Sequence, residues 1–421
     1  MNKKLGLSIM LALAVSVLVS GAQKVNAATL TVGCPGSTFP TIQSAVAAAN
    51  SGDTILVCPG TYVEQVTIPA GKNNLTLRSK TPLAAIIKAP AVMLAPKAIV
   101  RVNGALNITI SAFTITGPGS GPCDSLEYGV RVDMGGSAFI RGNHITEIRD
   151  NPFGGCQNGV GILVGRFSEG QTGSALIRDN TIDKYQKGGI VVSNVGSRAG
   201  ITDNDVKGIG PTALIAQNGI QISSGAKANV EDNEVSDNIY SPQTFASAGI
   251  LLFEAGQVNV EDNRVLRNDV NIFAFNSPGP IITGNRVSNG TFDGIDLTDG
   301  TTGAIVSHNT SRNNAADGIF IDAASTNNRI TNNRLRGNGL FDAEDQSVGT
   351  RSCGTGNTWA HNSCVTDNKG GCLCSQDGHG GDDGDDDGDV DHDGRGQNRA
   401  TTQSRAAARA SGPLSRTSSP F

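Results

Sequence analysis

Short runs of alternating apolar and polar residues recur along the middle of the chain, and most of these runs end at an asparagine. Examples are Ala175-Leu-Ile-Arg-Asp-Asn180, Ala199-Gly-Ile-Thr-Asp-Asn204 and Ala228-Asn-Val-Glu-Asp-Asn233. A two-residue period is typical of short β-strands that bury one face. From Asn180 onward the asparagines recur every 22 to 30 residues, which is the length of one supersecondary repeat.

A second motif alternates with the first and consists of a glycine followed by alternating apolar residues. Examples are Gly189-Ile-Val-Val, Gly219-Ile-Gln-Ile and Gly249-Ile-Leu-Leu. With a brief apolar segment after each asparagine, every repeat holds three short strands. No repeat can bury its apolar face alone, so the repeats must stack. We therefore predict an all-β fold, a parallel β-helix in which each coil adds one strand to each of three sheets.

The recurring asparagine is expected at the bend between two strands. Asparagine tolerates the left-handed backbone conformation, and its side chain can hydrogen-bond to neighbouring backbone groups. Stacked in successive coils, these side chains would form a ladder that satisfies buried amides. Phe113 occupies the equivalent position in an earlier coil, so the corner does not need asparagine everywhere. The ladder positions are Asn143, Asn180, Asn204, Asn233, Asn263, Asn285, Asn309, Asn333 and Asn362.

The two ends of the chain differ from the repeats. Residues 1–27 combine a basic start, an apolar run too short to span a membrane and a small-residue cleavage site, which is typical of a signal peptide. Residues 41–50 have apolar side chains at helical spacing, so we predict an amphipathic helix that plugs the core. Residues 375–421 are Asp/Gly-rich and then Arg/Ser-rich without apolar periodicity, which predicts a disordered tail.

An even number of cysteines in an exported chain favours disulfide bonds over thiol chemistry. We predict the pairs Cys34–Cys58 and Cys123–Cys156, and two further bonds in a cysteine-rich cap that closes the β-helix of residues 28–374. The protein is then secreted, either extracellular or periplasmic, with no transmembrane segment. The eight cysteines are Cys34, Cys58, Cys123, Cys156, Cys353, Cys364, Cys372 and Cys374.

Three N-terminal segments carry a family resemblance: Phe39-Pro-Thr-Ile-Gln-Ser-Ala-Val, Asn50-Ser-Gly-Asp-Thr-Ile-Leu-Val and Pro59-Gly-Thr-Tyr-Val-Glu-Gln-Val-Thr-Ile. With the asparagine repeats, they resemble the pectin-lyase-like right-handed parallel β-helix superfamily, which includes polysaccharide lyases such as pectate lyases, pectinesterases and NosD-type periplasmic proteins. The resemblance covers roughly residues 30–370 and implies a right-handed coil. It does not imply one activity, because this fold hosts many functions.

The catalytic motifs of that superfamily are missing from the repeats. Gly-His-Gly, Asp-Asp and Gln-Asp, which occur in polygalacturonase-like and pectinesterase-like active sites, are found here only in the tail. The Asp-Pro-His motif of alginate epimerases is absent. The resemblance therefore assigns no catalytic residue to this chain.

Four long insertions precede glycine-led strands, at 117–128, 148–158, 207–218 and 236–248. If the repeats stack, the four insertions lie side by side as a wall along the outer face of those strands. In relatives, the substrate binds along this face. We expect the insertions to cover the apolar residues of the face. Cations there are candidates to hold uronic-acid carboxylates or to act as the base in β-elimination. Ordinary solvated loop charge is the alternative. The candidates are Arg131, which the alternation directs outward, and nearby Arg149, Arg166, Lys184 and Lys187.

A group of aspartates near the C-terminal coils is a second candidate site. Asp293 and Asp317 hold equivalent positions, and stacking would bring them about 4.8 Å apart. Together with Asp296 and Asp322, they are candidate ligands for Ca²⁺, the one cofactor that the sequence suggests. The alternative is that each Asp-Gly pair forms a turn before a strand.

The charge balance narrows the choice of partner. A net charge of −5 leaves no basic surplus for nucleic acid. We predict a monomeric, secreted protein that binds an acidic polysaccharide or cleaves it by lyase-type elimination. The alternative is a non-catalytic extracellular or surface scaffold. A NosD-like role in copper-site assembly is less favoured, because the five histidines are scattered and only four methionines are present.

Overall fold

The predicted strands form three parallel sheets that run the length of a right-handed solenoid. A computed structural model describes residues 27–374, so the predicted signal sequence and tail lie outside the described residues. Each coil passes through sheet 1, sheet 2 and sheet 3 in that order, and each strand pairs with its counterpart one coil away. The predicted all-β right-handed parallel β-helix is confirmed.

Sheet 1 has thirteen strands and sheets 2 and 3 have eleven each. Sheet 1 comprises Thr29–Val32, Thr54–Val57, Thr76–Ser79, Ile108–Ser111, Gly136–Arg141, Gly173–Arg178, Arg198–Thr202, Lys227–Glu231, Val258–Glu261, Ile281–Thr283, Ile305–Ser307, Arg329–Thr331 and Thr358–Ala360. Sheet 2 comprises Gly60–Val63, Ala85–Lys88, Thr114–Thr116, His144–Thr146, Thr181–Asp183, Asp205–Thr212, Glu234–Tyr240, Arg264–Leu266, Arg286–Ser288, Thr310–Arg312 and Arg334–Arg336. Sheet 3 comprises Val66–Pro69, Ala98–Asn103, Tyr128–Asp133, Val160–Val164, Gly188–Ser193, Asn218–Ser223, Ala248–Phe253, Val270–Phe275, Ile295–Thr298, Ile319–Ile321 and Ala343–Asp345.

The core consists of inward side chains stacked in columns along the axis. Ile177, Ile201, Val230 and Val260 are register partners on four successive strands of sheet 1, and all four are fully buried. Between them the outward positions hold mostly polar or small residues. The apolar alternation therefore fixes both the face and the register of each strand, because a slip of one residue would turn the whole apolar set outward.

A short helix covers the N-terminal end of this core. Helix α1 spans Ile42–Ala48, somewhat shorter than the predicted 41–50, and begins with a capping box between Thr41 and Ser44. Glu64 accepts hydrogen bonds from the backbone N–H groups of Ile42 and Gln43, at 2.9 and 2.8 Å. Two single-turn 3₁₀ helices, Phe167–Glu169 and Ser352–Gly354, complete the helical content of residues 27–374. None of these helices has the length or apolarity to cross a membrane.

The asparagine ladder occupies the corner between sheets 1 and 2. The Nδ2 atom of Asn233 lies 2.9 Å from the carbonyl oxygen of Ile201 and 3.0 Å from Oδ1 of Asn263. Its own Oδ1 accepts from the backbone N–H of Asn204 at 3.0 Å. The same pattern links the ladder from Asn143 to Asn362.

The expected backbone conformation of the ladder asparagines was wrong. The left-handed residue is the one before each asparagine, for example Asp179, Asp203 and Asp232, each with φ of 55°. This geometry leaves the asparagine free to direct its side chain along the column of coils. Aspartate, asparagine, histidine or glycine fills the strained position instead, and all of these except histidine are common turn formers.

A second asparagine ladder, not predicted, lies at the corner before sheet 3. Nδ2 of Asn238 donates to Oδ1 of Asn268 at 2.9 Å, and Nδ2 of Asn314 donates to Oδ1 of Asn338 at 2.9 Å. Each of these residues follows a ladder asparagine by five positions. That fixed offset was visible in the sequence and could have identified the second ladder.

The glycine that opens most sheet 3 strands is required by the close approach of neighbouring coils. A Cβ at Gly219 would lie 2.3 Å from Cγ1 of Val235 and 2.6 Å from the carbonyl oxygen of Gly249. A Cβ at Gly189 would meet the carbonyl oxygen of Gly219 at the same 2.6 Å. The glycine motif therefore sets how tightly sheets 2 and 3 meet.

Four disulfide bonds join the eight cysteines. Cys34–Cys58 and Cys123–Cys156 pair as predicted. The last four cysteines form Cys353–Cys372 and Cys364–Cys374. The two C-terminal bonds hold the segment that places Leu373, 2% exposed, over the end of the core.

Candidate functional site

The four insertions all enter at the corner between sheets 2 and 3. The first two are joined by Cys123–Cys156. The third and fourth extend sheet 2, since Gly210, Pro211 and Thr212 pair with Asn238, Ile239 and Tyr240. On the outer face of sheet 3, beside this wall, Leu163 and Val191 are buried against Tyr128.

Buried carboxylates hold the wall in place. Asp150 accepts from the backbone N–H of Ser125 at 2.8 Å and from Nε2 of Gln186 at 3.0 Å. Asp269 accepts from the backbone N–H groups of Tyr240 and Ser247, at 2.8 and 3.0 Å. Burial raises the pKa of Asp269 above its usual range. These side chains therefore anchor loops and do not face solvent as reactive groups.

Arg131 does not lie on an open surface. Its side chain points outward from the core but is fully buried. Nε donates to Asp133 at 2.6 Å, the guanidinium pairs with Glu169, and Cζ lies 5.2 Å from the ring centre of Tyr128. Asp133 also pairs with Arg101 at 2.9 Å. The alternation of apolar and polar residues predicted the outward direction of the Arg131 side chain correctly. It contains no information about which residues from other loops pack against that side chain.

The other predicted groove cations are also neutralised or buried. Arg149 donates to Glu147 at 2.6 Å, and Lys184 pairs with the same carboxylate at 3.3 Å. Arg166 pairs with Glu169 at 3.2 Å. Lys187 is buried beneath the third insertion and donates to the carbonyl oxygen of Ala216 at 2.9 Å.

Two pKa shifts follow from these contacts. Partial burial raises the pKa of Glu169, but the hydrogen bond and charge of Arg131 outweigh it, so the pKa lies below its usual value. Burial lowers the pKa of Lys187 to about 8, because the charged ammonium loses hydration. At 6% exposure, the Lys187 amine is out of reach of a polymer. None of the five predicted groove cations is both exposed and without a carboxylate partner among residues 27–374.

Three of the four candidate calcium ligands already accept hydrogen bonds from backbone N–H groups, and the fourth is buried. Oδ1 of Asp293 accepts from the backbone N–H of Asp317 at 2.8 Å, and Oδ1 of Asp317 accepts from the N–H of Phe341 at 2.9 Å. Asp322 accepts from the N–H of Asp299 at 2.8 Å, while Asp296 is buried on the outer face of sheet 3. Across residues 27–374, no three His, Cys, Asp or Glu side chains are grouped to hold a metal ion. Calcium binding stays a prediction.

A row of exposed arginines on sheet 2 was not predicted. Arg264, Arg286, Thr310 and Arg334 are register partners on successive strands, and Arg312 pairs with Arg336 two positions further along the same strands. All five arginines are exposed. We call them the arginine face: Arg264, Arg286, Arg312, Arg334 and Arg336.

The arginine face is largely unpaired. Arg264 pairs with Glu234 at 3.0 Å. For Arg286, Arg312, Arg334 and Arg336, no acidic partner lies within ion-pair distance among the described residues. Like charges facing each other across neighbouring strands are destabilising, so the face carries a local excess of positive charge that is not compensated within residues 27–374.

The middle strands of sheet 2, directly before the arginine face, carry acidic side chains. Asp183, Asp205 and Glu234 point outward from successive strands of sheet 2. Burial and then the nearby Glu234 raise the pKa of Asp205. Burial also raises the pKa of Asp183, but hydrogen bonds from His144 and Thr146 more than offset this and hold it below its usual value. A polyanion on sheet 2 would therefore be confined to the arginine face.

The arginine face could have been found from the sequence. Residues one and three positions after each ladder asparagine point outward on sheet 2. These positions hold Arg264, Arg286, Arg312, Arg334 and Arg336 after Asn263, Asn285, Asn309 and Asn333.

Comparisons with known proteins bear on the fold. The family model described as "Right handed beta helix region" matches residues 95–235 and 161–380. Comparison with curated proteins gives no match. XylC in complex with xylose has a TM-score of 0.53 at 14% identity, over 73% of this chain and 75% of that one.

Two further solved structures are similar at lower TM-scores. The alginate lyase from Paenibacillus sp. str. FPU-7 has a TM-score of 0.46 at 16% identity, covering 75% of this chain and 98% of that one. Pectin methylesterase from carrot has a TM-score of 0.41 at 15% identity, covering 62% and 82%. Such identities show the fold alone. Because the family model matches more than half of the chain, this protein belongs to the right-handed β-helix family.

Proposed function

We propose that the protein is exported and binds an acidic polysaccharide along the arginine face without cleaving it. The observation that carries this proposal is the set of four exposed arginines, on three neighbouring coils, that have no acidic partner among residues 27–374. An anion bound across these coils would remove their mutual repulsion. Arginine suits the task because its planar guanidinium binds a carboxylate through two parallel hydrogen bonds.

The geometry of the face favours a linear polymer over a small anion. Its arginines lie in two rows on one flat sheet, and adjacent strands are about 4.8 Å apart. An extended chain that runs along the solenoid axis would meet a new coil at each step. Many weak contacts of this kind add up to useful affinity, because each successive contact is intramolecular.

The state of the predicted groove supports binding over cleavage. Each of its five candidate cations is paired with a carboxylate or buried. The predicted signal sequence and the four disulfide bonds favour a location outside the cytoplasm, where acidic polymers are mainly polysaccharides.

Charge reversal on the arginine face tests this function. The double variant Arg286→Glu/Arg334→Glu is expected to bind polygalacturonate or alginate at least tenfold more weakly, or about 1.4 kcal/mol, by titration calorimetry at low salt. Wild-type affinity should fall as salt rises, because the contacts are between exposed charges. No unsaturated product should appear in the absorbance of the mixture.

The matched control is Arg198→Glu/Lys227→Glu, which reverses two exposed, register-paired cations on sheet 1. This control should change the affinity by less than about twofold. Equal losses in the two double variants, or no binding of either polymer by the wild type, would contradict the proposal. Neutral dextran and single-stranded DNA test whether carboxylate-bearing sugar is the preferred polymer.

A non-catalytic scaffold is a second candidate function, favoured by the two-signed charge of sheet 2. Its acidic middle strands and the arginine face would complement each other in an antiparallel pair of chains. Self-association of the wild type without polymer, lost in Arg286→Glu/Arg334→Glu, would favour this candidate.

A further inference from the structure

A depression of about 370 Å³ opens at the corner between sheets 1 and 2, near the N-terminal end of the solenoid. It belongs to early coils and is separate from the arginine face and from the wall beside sheet 3. Its lining includes three cationic side chains and one carboxylate. The lining residues are Arg78, Ser79, Lys80, Pro82, Ser111, Ala112, Arg141, Gly142 and Asp179.

The depression carries an excess of positive charge. Among the described residues, Arg78, Lys80 and Arg141 have no acidic side chain within ion-pair distance. The one carboxylate in the lining, Asp179, is paired with Arg178 at 3.3 Å. Three cations and one carboxylate therefore line the depression, and this excess of positive charge favours binding of an anion.

Ser111 provides a second, independent feature. It is the register partner of Arg78 on one side and of Arg141 on the other, so a small side chain separates two guanidinium groups. Ser111 is 4% exposed, and its hydroxyl has no hydrogen-bond partner among residues 27–374. A buried hydroxyl without a hydrogen-bond partner is unfavourable, so a ligand that accepts a hydrogen bond from it would be stabilised.

Arg141 is held in place before any ligand arrives. Its Cζ lies 5.2 Å from the ring centre of Phe139, two residues earlier on the same strand. A cation stacked on an aromatic face keeps its charge while losing part of its freedom. Less entropy is then lost when the guanidinium binds.

We propose that this depression is a binding site for a single oxyanion, either a carboxylate or a sulfate-type group. The ligand accepts hydrogen bonds from Arg141 and from the hydroxyl of Ser111, while Arg78 and Lys80 supply further positive charge. The anion is either a free inorganic ion or the acidic group of a sugar, and both share the chemistry that the site recognises.

Titration calorimetry at low ionic strength tests this site with two probes, sodium sulfate and sodium galacturonate. The wild type should bind at least one of them saturably with one site per chain. Arg141→Gln should weaken that binding at least tenfold and Ser111→Ala several-fold. The control Arg198→Gln removes an exposed cation elsewhere on sheet 1 and should bind as the wild type does. Circular dichroism checks that each variant retains its β-sheet signal.

The outcomes separate the sources of the anion. Binding of sulfate alone identifies an inorganic anion as the ligand, and binding of galacturonate identifies a sugar carboxylate. No saturable binding of either probe, or equal binding by the wild type and Arg141→Gln, overturns the proposal. Polymer binding at the arginine face is measured separately with Arg286→Glu/Arg334→Glu, so the two proposals fail independently.

Discussion

Replacing Arg131 with methionine is expected to lower the free energy of unfolding by about 3–5 kcal/mol, the usual cost of removing one partner from a buried ion pair. Arg131 is fully buried, and Asp133 beside it is also 0% exposed. Methionine fills much of the space of the arginine side chain. Asp133 then keeps its ion pair with Arg101, but it loses the pair with residue 131, and Glu169 loses its closest partner. Urea unfolding followed by circular dichroism measures the change.

Arg149→Met is the matched control, because Arg149 forms a similar pair with Glu147 at a partly exposed site. This variant should lose no more than about 1 kcal/mol. Similar stabilities of the two variants would show that the buried ion pairs of Arg131 do not stabilise the fold. If the Arg131 variant is the less stable one, a loss of polymer binding in it would report a loss of stability and not a loss of a direct contact with the polymer.

Replacing Asn233 with alanine is expected to cost at least about 3 kcal/mol, because it breaks the ladder in its middle. The Asn233 side chain donates to the carbonyl oxygens of Ile201 and Glu231, and accepts from both amide groups of Asn204. Alanine leaves these buried groups without partners, at about 1–3 kcal/mol for each unsatisfied group. The measurement is the shift in the urea midpoint.

Asn229→Ala is the control for this prediction. Asn229 lies on the preceding strand of the same coil, and its side chain is exposed. Its replacement should change stability by less than about 0.5 kcal/mol. If the two alanine variants unfold at the same urea concentration, the ladder does not contribute to stability in the way that its hydrogen bonds indicate.

The fold could be predicted from the sequence because one constraint repeats in every coil. Alternation at Ile177, Ile201 and Val230 fixes the inward face, and the ladder asparagines fix one corner. The first ladder was therefore predicted by position, although the left-handed residue proved to be its neighbour. The second ladder obeys an equally regular offset.

Whether the predicted groove cations are free or paired could not be predicted from the sequence in the same way. Whether Arg131 is free depends on Glu169, which lies 38 residues away in the short 3₁₀ helix between a sheet 3 strand and a sheet 1 strand. Periodicity places strands but says nothing about which loop charges meet. The arginine face was accessible to prediction because its residues lie on regular strands, where direction follows from alternation.

Arginine footprinting is the most direct test of the central claim that sheet 2 binds an acidic polymer. Phenylglyoxal modification, read residue by residue by mass spectrometry, would be compared with and without saturating polygalacturonate. We predict that Arg286, Arg312, Arg334 and Arg336 lose reactivity, while Arg198 on sheet 1 does not. Protection confined to Arg149 and Arg166 beside sheet 3, or no protection of any arginine, would contradict the account.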